Sequence, residues 1–172
     1  MAAQKVLIRD QGVTKQYTPK DTSAGAADAG ALVALGSNGK LDMTLLPSGL
    51  GDGTRIGTAS EALVAGNFVQ EYANAGTWSV RKADNSNGRY ATGFVKAASA
   101  SSAPATVYPL DGVNDQLTGL TIGTVYYLGT AGGTIATPLN AASAAAGSID
   151  QRLGIAKSAT ELVTDDFDYV VL

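Results

Sequence analysis

Cysteine and histidine are both absent from the 172 residues. Without cysteine there is no disulfide framework, no thiolate zinc site and no sulfur nucleophile. Without histidine there is no Ser–His triad, no imidazole base near neutral pH and no imidazole metal ligand. Charged side chains make up 16% of the chain, below the usual quarter. The lysines and arginines are scattered, with Arg81-Lys82 the one adjacent pair, and the net charge is −3, so the clustered cations that nucleic acid requires are missing. No run approaches the roughly 18 apolar residues of a membrane-spanning helix. The first ten residues carry Lys5 and Arg9 but no apolar stretch of the kind found in a secretory signal. The sequence therefore points to no cofactor, no nucleic acid and no membrane.

What is present is a chain rich in glycine, alanine and threonine and poor in lysine and glutamate, a poor recipe for a helical bundle and a good one for short strands with many turns. The aromatic residues are unevenly spread. Residues 1–53 contain one, Tyr17, whereas residues 54–172 hold Trp78, three phenylalanines and six tyrosines. A segment of that length with one aromatic can hardly build its own core, because large side chains supply most of the burial that offsets chain entropy. The expected organisation is an arm over 1–53 and a β-rich body over 54–172. The arm balances five basic residues against five acidic ones, so the whole net charge falls on the body.

Within the arm, Lys5–Arg9 and Ala31–Leu35 read as short strands, and Asn38-Gly39 as a tight turn. Met43–Pro47 leads to a joint containing Gly49, Gly51 and Gly53. Two aliphatic runs favour an arm that orders against other chains over a disordered linker. In the body, strands are expected at 67–72, 77–81 (with Trp78 and Val80 on one face), 90–96, 104–108, 124–128, 151–156 and 167–172. This spacing suggests a small β-sandwich or barrel. Asn140–Ala146 is alanine-rich but too short for a stable helix, and reads as a loop with at most one helical turn.

Signs of chemistry are sparse. Asp84–Gly88 resembles a calcium loop only superficially, since its glycine comes one residue early and no matching glutamate follows; a hairpin turn is expected. Asp165, Asp166 and Asp168, with Glu161 nearby, form an acidic run in which Asp166 and Asp168 would share a strand face, but a solvated turn is the simpler reading. Gly129–Thr134 lacks the lysine and following helix of a phosphate loop. Tyr126 and Tyr127 sit on opposite sides of one strand. Two-sided apolarity means either a central strand or a face covered by another subunit, and both tyrosines are candidates for an oligomer interface.

Residues 25–42, the following Leu46-Pro47, and the segments 59–69, 80–84, 93–95, 126–129 and 151–162 resemble those of tailed-bacteriophage virion structural proteins of the capsid decoration (cement) and head-fibre kind. The resemblance covers most of residues 20–163. It implies an all-β fold with an extended N-terminal arm, no catalytic activity, and a place on the capsid surface. It also implies a homo-oligomer, a trimer in that family, whose arm grips the major capsid protein. Val6, Leu7, Ile8, Leu32, Val33, Leu35, Leu41, Leu45 and Leu46 are the candidate anchors. The rival reading is a tail or fibre module that binds a host receptor or glycan through Trp78 and the Asp84–Asn87 loop.

Overall fold

A computed structural model of the chain describes residues 5–46 and 53–172. The protein is all-β, with two short 3-10 turns and no α-helix among the described residues. It divides into two compact units, Met1–Gly51 and Asp52–Leu172.

The first unit opens with an antiparallel hairpin of β1 (Val6–Asp10) and β2 (Val13–Tyr17), in register from Val6 opposite Tyr17 to Asp10 opposite Val13. Gln11 and Gly12 turn the chain, both with positive φ (49° and 82°). This is the two-residue turn whose twist suits a hairpin. The first expected strand is thus present, and its partner is one that the polar sequence Val13-Thr14-Lys15-Gln16-Tyr17 conceals. Ala31–Leu35 is not a strand. It makes one bridge, with the Lys20 amide donating to the Leu32 carbonyl (2.8 Å) and the Ala34 amide to the Lys20 carbonyl (2.8 Å). No second stretch of described backbone lies beside it to extend the ladder. The Asn38-Gly39 turn is present, closed by the Gly36 amide on the Lys40 carbonyl (2.9 Å).

In the second unit, β3 (Arg55–Ala59), β4 (Phe68–Asn74), β5 (Thr77–Lys82), β6 (Gly93–Phe94) and β7 (Pro104–Val107) form a sheet ordered β6-β4-β5-β3-β7. Phe94 and Tyr108 exchange both backbone hydrogen bonds (2.9 and 2.8 Å), joining the two outer strands and closing a five-stranded barrel. Closure leaves no free edge. Only Gly fits at position 93, where a Cβ would run into the Tyr108 carbonyl and the Val107 side chain. The expected strand over 90–96 shrinks to two residues because the chain there serves mainly as this seam. Val69, Val80, Val95 and Val107 fill the barrel with Ala59, Leu63 and Ala105. Trp78 shares the face of Val80 but lies at the strand's outer end, over Gly57, where it stays 53% exposed while Val80 is fully buried.

The other strands, β8 (Val113–Asn114), β9 (Val125–Leu128), β10 (Thr134–Ile135), β11 (Ile149–Ala156) and β12 (Leu162–Thr164), form an antiparallel sheet ordered β10-β9-β11-β12-β8. A sixth strand, β13 (Tyr169–Val171), pairs with the first half of β11. A second core contains Phe68, Phe94, Leu110, Leu120, Tyr126, Leu128, Leu153 and Leu162. Phe68 and Val69 are adjacent on β4 and feed different cores, so this strand is apolar on both faces. Buried side chains complete the backbone pairing. Gln151 accepts from the Ala91 amide (2.7 Å) and donates to the Ala91 carbonyl (3.0 Å), in place of a strand that Ala91 lacks. Asn114 donates to the Gly66 carbonyl (3.0 Å). Residues 140–146 form a loop with one helical turn, the Ala144 amide on the Asn140 carbonyl (2.9 Å).

Candidate interaction surfaces

The aliphatic side chains of the first unit are not packed away within it; none of those whose exposure is described is buried. Leu7 is 74% exposed, and Val6, Leu32, Val33, Leu35, Leu41 and Leu46 are exposed as well; Ile8 and Leu45 are half-buried. The hairpin puts Val6, Ile8, Val13 and Tyr17 on one face through the pairs Val6–Tyr17 and Asp10–Val13, and Leu7 on the other. A lone two-stranded hairpin has little stability of its own. Here it is supplemented by the exposed Lys15–Asp10 ion pair (2.9 Å), worth at most about 1 kcal/mol. Further on, polar caps hold the backbone. Asp28 accepts from the Ala24 amide (2.7 Å) and faces Lys20 (3.4 Å), an arrangement that holds its carboxyl below the usual carboxylate range. Asp42 is lowered likewise by the hydroxyl and amide of Thr44. The backbone of this unit is fixed by hydrogen bonds while its apolar side chains remain uncovered.

The two tyrosines are placed differently. Tyr126 lies in the second core, where its hydroxyl accepts from the Thr121 amide (3.0 Å); its ring is committed inside the subunit. The reason is the alternation of β9, which turns Tyr126 and Leu128 inward and Val125 and Tyr127 outward. Only Tyr127, half-buried, is left on the outer side.

Of the polar candidates, the Asp84–Gly88 loop has a structural role. Asp84 accepts from the amide and hydroxyl of Ser86 (2.9 and 2.6 Å) and from the Ala131 amide (2.9 Å). Partial burial works against its ionisation, but these bonds together outweigh it and the carboxyl sits lower than usual. Asn85 donates to the Leu128 carbonyl (2.8 Å). The loop is therefore a rivet between hairpins, closed by Gly88 at φ 76°, with Asp84 and Asn85 committed to it. The Gly129–Thr134 loop is the other half of that rivet, with Gly132 bonding to Ala83 and Phe68. Asp165, Asp166 and Asp168 precede β13 in irregular backbone and are exposed, so the expected strand face shared by Asp166 and Asp168 does not form. Among the described residues no group of three acidic side chains is placed to hold a metal ion.

The best-enclosed carboxylate is Glu71. Arg55 grips it through Nε (2.9 Å to each oxygen) and one terminal nitrogen (2.7 Å), and Thr92 donates to it (3.3 Å). That carboxylate holds the guanidinium still more firmly protonated than usual. A carboxylate so fully paired is a cross-brace between β3 and β4. A shallow groove elsewhere on the body, lined by Lys96, Ser99, Pro104, Thr106 and Tyr108, contains no carboxylate, and its lysine is paired with Asp115 (3.3 Å).

No protein-family model matches the chain, and no curated protein does. Among solved structures the chain is similar to the N base of the head fiber protein gp8.5 of bacteriophage phi29. The two are 13% identical, with a TM-score of 0.43; the likeness covers 65% of this chain and 92% of that one.

Proposed function

We propose that this chain is a non-enzymatic structural protein of a tailed-phage virion. In this reading it is a decoration or cement protein that forms homotrimers on the capsid surface and braces neighbouring major capsid protein subunits through its N-terminal arm. The observation that carries the reading is the arm itself: a hydrogen-bonded scaffold that displays Leu7, Leu32, Val33, Leu35 and Leu41 uncovered. Exposed aliphatic residues in series fit grooves on a partner or flank a strand added to its sheet. Many identical copies on a shell would make each modest contact strong in aggregate. In the Asp84–Gly88 loop the Asp84 carboxylate and the Asn85 amide are committed to holding hairpins together.

Deleting residues 2–20 is expected to leave a folded, soluble body that no longer cosediments with capsids. Undiminished binding by the truncated protein removes the arm from the reading. Immunogold labelling of whole virions tests the location: signal over the head supports the capsid role, and signal at the tail supports a receptor-binding fibre module instead.

A further inference from the structure

The six-stranded sheet has one face on the second core and one face outward, and the outward face is unexpectedly apolar. Cross-strand register places Val125 opposite Ile155, Ile155 opposite Val163, and Val163 opposite Val113. These four β-branched residues form one continuous row across β9, β11, β12 and β8. A second row begins with Ile135 opposite Tyr127 and continues to Arg152. Ile155 and Val163, at the centre, are 41% and 39% exposed. Their neighbours in sequence, Gly154 and Ala156, Leu162 and Thr164, are all buried, so the outward direction of the pair is unambiguous.

An antiparallel sheet with one solvated face ordinarily alternates apolar-in with polar-out. Here the out positions are apolar on β8, β9, β10 and β12, and on β11 Ile155 follows Asp150 and Arg152. The one charged residue in register with them, Arg152, has its guanidinium over the Phe167 ring, 4.5 Å from the centroid. Directly opposed β-branched pairs stabilise a sheet somewhat, but exposed threonines would do so too without presenting apolar surface to water.

We infer that this face is where copies of the chain pack against one another. The inference deepens the homo-oligomer part of the proposed function and rests on it. Charge decides the occupant. The whole net charge of −3 falls on residues 54–172, so two bodies carry net charge of the same sign. The two rows carry no carboxylate, and their one charge, Arg152, lies against the Phe167 ring, so this is where net-acidic copies meet at least cost. Cores of homo-oligomeric interfaces show this composition, depleted of charge and enriched in aromatic and aliphatic area. Lateral growth of the sheet has little to build on, because its end strands β8, β10 and β13 are only two or three residues long. Face-to-face packing of the sheets, about 10 Å apart, remains.

The test uses the full chain in sedimentation equilibrium. Wild type is expected to be oligomeric, and Val163→Asp to weaken self-association by about 100-fold or more, as for a buried unpaired charge. Val64→Asp, at an exposed apolar site outside the sheet, is expected to keep the wild-type mass. The absence of native cysteine gives a second route that needs no disruptive charge. In Val163→Cys the single thiol adds to a maleimide, and the addition is expected to be slow in the oligomer and to accelerate on dilution; in Val64→Cys it is fast at every concentration. Three results would each overturn the inference: a monomeric wild type, a folded Val163→Asp of unchanged mass, or a Val163→Cys thiol as reactive as the Val64→Cys thiol at every concentration. Neither measurement involves capsids, so failure of the virion reading would show separately, in cosedimentation.

Discussion

Leu153 and Leu32 are the same side chain in opposite circumstances. Leu153 is fully buried among aromatic and aliphatic neighbours in the second core, whereas Leu32 is 47% exposed although its carbonyl is engaged by Lys20. The contrast extends to the two units as wholes. The body buries two cores and ties them with polar side chains that complete its backbone pairing. The arm positions its backbone with turns, caps and a hairpin and leaves its aliphatic residues uncovered. Apolar burial dominates stability and is proportional to area, so substitutions in the body's cores and in the arm are expected to act on different observables: folding in the cores, capsid binding in the arm.

The sharpest way to break that division is at Phe68. It is fully buried, 6.1 Å from Phe94, on the strand shared by both cores. Phe68→Ala is expected to cost about 3–5 kcal/mol, read as a lowered urea midpoint or as failure to fold. A cost below about 1 kcal/mol would mean that the two cores do not meet on β4 as described.

Next in size is Gln151→Leu. The side chain is 1% exposed, and its loss strands the Ala91 amide and carbonyl in the interior. Leaving such groups unsatisfied costs about 1–3 kcal/mol. The expected loss in chemical denaturation falls in that range even though leucine is the more apolar residue. A stabilised variant would contradict the bonding.

A smaller effect belongs to Asp84. Its carboxyl is lowered in the folded protein, so the stability it contributes is present above the unfolded-state value, about 4, and is lost as pH falls through the folded value. Asp84→Asn should therefore be less stable than wild type at neutral pH by about 1 kcal/mol or less, with the two curves converging below about pH 4. Thermal melts across that range check the sign; a gap that widened on acidification would refute it.

Legibility in the sequence followed pattern length. The strands at 77–82 and 149–156 carry enough alternation or apolar content to be read, and the all-β class follows from them. Strands of two or three residues, such as Val113–Asn114, Thr134–Ile135 and Leu162–Thr164, are defined by what lies beside them and have no local signature. Arg55–Ala59 was unreadable for another reason: its Gly57 looks like a breaker, yet it is required by the closeness of Val80 and Trp78. Tyr126 and Tyr127 show the limit for the candidate surfaces. Adjacent tyrosines are equivalent as letters, and only the phase of the strand, set by its neighbours, sends one inward. The apolar outer row was hidden for the same reason, since Val113, Val125, Ile155 and Val163 are far apart in the chain and meet only through register.

The smallest expected stability change is also the one that tests the arm most directly. Replacing Leu7, Leu32 and Leu35 together by serine removes apolar surface that water already reaches in the isolated chain. Surface changes of this kind usually lie within about 0.5 kcal/mol, and the hydrogen bonds that shape the segment come from backbone and from Lys20, Asp28 and Thr44, none of them altered. The melting curve should therefore overlay that of wild type. Cosedimentation with capsids should fall by at least about 10-fold, because each aliphatic anchor buried against a partner contributes on the order of 1.5 kcal/mol or more. A variant that melted early would show that these leucines stabilise the chain itself. One that melted normally and bound normally would show that the exposed row of the arm is not where the partner sits.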